Sequence, residues 1–116
     1  MTGTLTLRRS YPDSDFFWTV IADGEVVGYI VYREHVGDES IRWQWSVHVM
    51  WFPPGGIPFN RHGTSASRED AMAAFKETWV PLRALMGDEG WAGHVEHEAQ
   101  MRARKEMNAK REWKPE

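Results

Sequence analysis

Residues 41–51 read IRWQWSVHVMW, and taken two at a time they place Ile41, Trp43, Trp45, Val47, Val49 and Trp51 on one side. Arg42, Gln44, Ser46, His48 and Met50 fall on the other. Strict alternation of this kind describes a half-buried strand, because successive side chains point to opposite faces of a sheet. Three of the six apolar residues are tryptophans, so one strand brings a large apolar area to a single face.

The segments upstream supply its partners. Residues 16–22 (FFWTVIA) are aromatic and β-branched, a strand signature. Asp23-Gly24 is the dipeptide of a type I′ hairpin turn, and EVVGYIVYR at 25–33 returns as the paired strand. Gly28, in the middle of that strand, marks a bulge or the close approach of a bulky neighbour, a tryptophan across the sheet being the natural occupant. TLTLRR at 4–9 alternates weakly and is an edge strand or a loosely held terminus. The polar link 34–40, with Gly37-Asp38, completes a three-stranded antiparallel meander in which sequential strands pair.

Downstream the character changes. FPPGGIPFNRHG (52–63) carries three prolines and three glycines in twelve residues, which predicts a long loop rather than a helix or central strand. Ser67 opens a helix, with Asp70 three residues on at capping-box spacing and Glu69 adding charge at the positive end of the dipole. Ala71, Phe75, Trp79, Leu82 and Met86 form one helical stripe facing the tryptophan-bearing sheet. Pro81 predicts a break or kink near 77–80, and Gly87 closes the segment. Beyond Gly90, Glu98–Arg102 and Glu106–Lys110 are good helical pairs, but Val95, Ala99, Met101 and Met107 are weak anchors. The expectation is α+β: a three- to four-stranded antiparallel meander packed on one face by a helix, plus a loosely anchored C-terminal helix. It forms one domain over 1–116, compact over about 4–87, with 91–116 a charged helical or partly disordered tail.

Composition narrows the function classes. The chain of 116 residues has no cysteine, which excludes disulfides, iron–sulfur clusters and thiolate zinc sites and fits a reducing compartment. With 14 basic and 17 acidic residues the net charge is −3, so no global basic field draws the chain to nucleic acid or anionic lipid. MTGTLTLRRSYPD lacks the apolar core of a signal peptide. The apolar runs fall far short of the roughly 20 residues needed to span a bilayer. A cytoplasmic protein with no membrane partner is expected.

Two resemblances follow from these residues. GYIVYR (28–33), WQWSV (43–47), Gly63-Thr64 and SREDAMAAFKETW (67–79) together resemble small uncharacterised alphaproteobacterial proteins with a VG-x-I-x-YR strand, a W-x-W-S-V strand and an E-x-A-x3-F-x3-W helix. That group has no established activity, so the likeness implies a fold unit spanning roughly 16–80. The three-stranded sheet followed by Gly63-Thr64 and a capped helix is similar, more loosely, to ethylene-response and integrase-type DNA-binding domains. That likeness implies nucleic-acid contact through strand arginines, here Arg8, Arg9, Arg33 and Arg42.

Trp43, Trp45 and Trp79 read as core between sheet and helix. Apolar residues on both faces of the strand holding Trp18 mean that its second face is covered or exposed, and a homodimer or another protein partner is one way to cover it. His94, His97 and Glu98 share a helix face at metal-ligand spacing, with His62 as a further donor. HVEHE matches neither H-E-x-x-H nor H-x-x-E-H, however, and a solvated charged face with no metal and no cofactor is the expectation. No catalytic fingerprint is present, so no enzyme is expected. The 52–63 loop combines a stiff backbone, apolar tips and charge, the make-up of a binding loop and equally of one that folds back over a sheet edge. The binding-surface candidates are Arg42, Trp18, Phe52, Phe59, Arg61 and His62. Arg102, Arg104, Lys105, Lys110 and Arg111, interrupted by Glu98, Glu106 and Glu112, read as a solubilising helix. The expected function is a small non-enzymatic binding or interaction protein that self-associates, with weak nucleic-acid binding through the sheet and basic tail as the alternative.

Overall fold

The computed structural model describes residues 5–49, 51 and 60–112. Strands β1 (Leu5–Arg9), β2 (Phe17–Ala22), β3 (Glu25–Tyr32), β4 (Trp43–Val47) and β5 (His62–Ser65) form one antiparallel sheet in chain order. A long helix, α1 (Arg68–Glu112), packs over β3, β4 and β5. The fold is α+β. The strands number five rather than three to four. The N-terminal edge strand is formed, and β5 begins in the last two residues of the stretch expected to be loop. HGTS has no large apolar residue to announce a strand. Its fit depends instead on Gly63, where a Cβ would sit 2.8 Å from the Trp45 ring.

The organising strand is shorter than its alternation. Ile41 belongs to a 3₁₀ turn (Glu39–Ile41) and is 42% exposed. Trp45, Val47 and Val49 are buried as the pattern requires, with Trp43 and Trp51 packed beside them. The Asp23-Gly24 turn has positive φ at both residues, 49° and 80°, as a type I′ turn demands.

At Gly28 both expected features are present, with a different occupant. Val20 faces Gly28 while Ile21 faces Val26, so Val27 is the extra residue of a β-bulge. The ring against the glycine is Phe75, from the helix, and not a tryptophan. Helix and sheet thus interlock where the strand has no side chain.

Ser67 caps α1 as read: its Oγ accepts from Asp70 N at 3.0 Å. Ala71, Phe75, Trp79, Leu82 and Met86 are all buried on the sheet. The helix is not broken at 77–80, where the backbone angles stay helical. Pro81 and Glu77 are both solvent-exposed, so the carbonyl released by the missing N–H meets water rather than core. The interruption comes at Gly87, with φ 66° and ψ −174°, a conformation open essentially to glycine alone. Arg83 braces it, donating from Nη1 to Gly87 O at 3.0 Å and lying 5.1 Å over the Trp91 ring.

The segment after the break is anchored more firmly at its start than expected. Trp91 meets Trp79 edge-on at 5.9 Å. His94 is fully buried, with Nε2 3.1 Å from Val26 O, and Arg102 reaches Glu25 at 3.4 Å. Val95 and Ala99 were weak anchors because the anchoring residues, an indole and an imidazole, are amphipathic. Residues 99–110 are exposed. Among the described residues, no helix is long and apolar enough to cross a membrane.

Candidate binding face of the sheet

Because α1 covers one face only, the pairing registers assign the residues of the other. Arg8, Thr19, Tyr29, Ser46 and His62 stand opposite one another across all five strands. Phe17, Val31, Gln44 and Thr64 form the adjacent row. At about 4.8 Å per strand, Arg8 and His62 mark the ends of a row roughly 19 Å long.

This face carries rings and cations. Phe17 and Tyr29 are each 40% exposed and Tyr11, 5.5 Å edge-on from Phe17, is 60% exposed. His48 lies 5.4 Å from the Tyr29 ring, with Nε2 2.9 Å from Ser46 Oγ. Arg33 donates from Nη1 to Gln44 Oε1 at 3.3 Å. Arg8, Arg33, His48 and His62 are all exposed. None of the strand positions in the two rows holds a carboxylate. In a chain of net charge −3, this is a local inversion of sign.

The other candidates are placed elsewhere. Arg42 acts as a loop clamp: Nε donates to Val36 O at 2.7 Å, Nη2 reaches Gly37 O, and Nη1 lies between Tyr32 Oη and Glu39. Trp18 is on the helix side, half-buried, with Nε1 donating to Asp15 O at 2.7 Å and the Arg68 guanidinium 4.5 Å over its ring. Arg9, on the same side, pairs with Asp15 at 2.7 Å. Arg61 donates to the carbonyls of Val49 and Trp51, tying down the chain beyond β4. Burial pulls its pKa below the ordinary guanidinium value, yet it stays charged. Of the described binding-surface candidates His62 joins the free face, together with Arg8 and Arg33 from the strand arginines. Phe52 and Phe59 lie outside the described residues.

His94, expected on a solvated helix face, is enclosed and committed to Val26 O, with Glu98 3.9 Å away. No group of three or more metal-ligating side chains occurs among the described residues. Sequence reasoning missed Tyr11, Phe17, Tyr29 and His48 as a group. His48 was on the polar side of the alternating stretch, but the bulge at Val27 breaks the period-two reading of the strand beside it. Comparison with known proteins finds no family model, no curated protein and no solved structure that matches this chain.

Proposed function

We propose that the chain is a small non-enzymatic binding protein whose helix-free sheet face engages an anionic, ring-bearing polymer, single-stranded nucleic acid. The observation that carries this reading is the carboxylate-free pair of rows, where Arg8, Arg33, His48 and His62 surround exposed Phe17 and Tyr29. Bases stack on such rings for about 1–3 kcal/mol each with little sequence preference, while the arginines take phosphates. Self-association through this face is the weaker reading. A two-fold dimer sets each patch against its own copy, so Arg8 and Arg33 would meet like charge.

The test is fluorescence anisotropy of a labelled single-stranded oligonucleotide at low and moderate salt. Two fixed cations predict a shallow log–log salt slope of about −1.4. Binding is lost in the Arg8→Glu/Arg33→Glu variant and weakened in Phe17→Ala/Tyr29→Ala. A flat titration at low salt, or binding indifferent to both variants, overturns the proposal.

A further inference from the structure

Helix α1 lies mainly over β3–β5, and at the β1 end of the sheet its helix-side residues Leu5 and Leu7 are only half-buried. The gap between that end and the flank of α1 is an open groove of about 490 Å³, within the roughly 300–1,000 Å³ range of small-molecule sites. Leu5, Leu7, Val20 and Ile30 form its floor, and Met72 and Val80 form its helical wall. Met72 and Val80 are 39% and 44% exposed, apolar surface left in contact with water.

Lys76 stands between them, one helical turn from each, and among the described residues is the sole charged side chain lining the groove. It makes no ion pair among the described residues. A lysine in this setting lays its methylenes along apolar surface and holds its ammonium at the rim. The groove therefore has one apolar trough and one unmatched positive charge at its lip. We propose that it binds an unbranched aliphatic carboxylate, of the fatty-acid class, with the chain in the trough between β1 and α1 and the carboxylate paired with Lys76. A single cation in a groove lined by no carboxylate among the described residues complements a single anionic head. This site lies on the opposite side of the sheet from the polymer-binding face, so it is independent of that reading.

The experiment is a titration of the full chain with decanoate and dodecanoate below their micellar concentrations, followed by the Met72 methyl resonance and by tryptophan fluorescence, since Trp79 lines the groove. Saturable shifts are expected at Met72 and at the Leu7 and Val80 methyls. Each buried methylene tightens binding about three- to fourfold, so dodecanoate binds roughly tenfold more tightly than decanoate. Lys76→Glu weakens binding at least tenfold and Lys76→Arg preserves it. Ala73→Trp, at an exposed position in the wall, blocks the trough without touching the core. Absence of saturation overturns the proposal. So does dodecanol binding as tightly as dodecanoate, equal binding by Lys76→Glu, or tighter displacement by an amphipathic helical peptide than by the fatty acid.

Discussion

Gly28→Ala tests how sheet and helix are joined. A Cβ built at Gly28 falls 2.5 Å from Cε2 and 2.7 Å from Cζ of Phe75, and closer still to the backbone oxygen of Ser46. Regaining ordinary contact, about 3.4 Å or more, moves a fully buried ring by nearly an ångström into a close-packed core. Overpacking of that kind costs about 1–3 kcal/mol. The Ser46 oxygen belongs to β4, so relieving that clash spreads the β3–β4 pairing and weakens a ladder hydrogen bond, about 1 kcal/mol more. Against this stands roughly 0.5–1 kcal/mol gained because alanine restricts the unfolded chain. The balance is a loss of about 2 kcal/mol, or close to 8 °C in Tm for a domain of this size. Calorimetry with Gly37→Ala as control reads it directly, since nothing lies within 4 Å of a Cβ at Gly37. Adding Phe75→Leu to Gly28→Ala relieves the ring clash but leaves the backbone one, so it restores only part of what the alanine takes away. A Gly28→Ala protein melting within about 3 °C of wild type would refute the reasoning.

Ser67→Ala removes the acceptor for Asp70 N and lowers stability by about 1 kcal/mol in urea titration, whereas Ser67→Asp preserves it. Asp38 accepts from Ser40 N and Oγ, and these hydrogen bonds hold its pKa below the ordinary 3.8. Its stabilising effect is therefore complete above pH 3.8 and fades as pH falls through the lower folded-state value. The Ser40 amide resonance should titrate with a midpoint below 3.8, and a midpoint above it contradicts the geometry. Truncation after Gln100 removes exposed helix and the Arg102–Glu25 pair, leaving urea stability within about 1 kcal/mol of the full chain. Truncation after Gly90 strips Trp91 and His94 from the core and lowers stability several-fold more in free energy.

The sequence disclosed those elements whose side chains themselves do the packing. The alternating tryptophans, the Asp23-Gly24 turn, the Ser67 cap and the stripe from Ala71 to Met86 all appear where local pattern puts them. What it hid depends on contacts between distant residues. Strand β5 is recognisable only once Trp45 is known to need a glycine opposite it, and Pro81 is tolerated because its exposed side faces water. His94 looked like a solvated or metal-binding histidine, and its partner, Val26 O, is 68 residues away in the chain. Half of the candidate face was legible: His62 was named from the residues, and Arg8 and Arg33 through the likeness to sheet-type DNA-binding domains. Tyr29 joins them through its pairing with Ser46 on the polar side of β4, and the bulge sends Val27, which period two would set beside Tyr29, into the core.

The pleat that hid the face also keeps the two proposed surfaces apart. Leu7 lines the groove and Arg8 stands on the free face, although they are consecutive. The same holds for Ile30, on the groove floor, and Tyr29, in the ring-and-cation row. Neighbouring positions in sequence therefore report on opposite sides of one rigid sheet, and the core beneath α1 holds that sheet fixed. An anionic polymer on the free face is read by Arg8 and Tyr29 with Leu7 and Lys76 silent. An aliphatic carboxylate in the groove reverses the pattern. A ligand that perturbed both sets equally would have to be unfolding the sheet between them, because consecutive residues of an intact strand face opposite sides and share no solvent-facing surface.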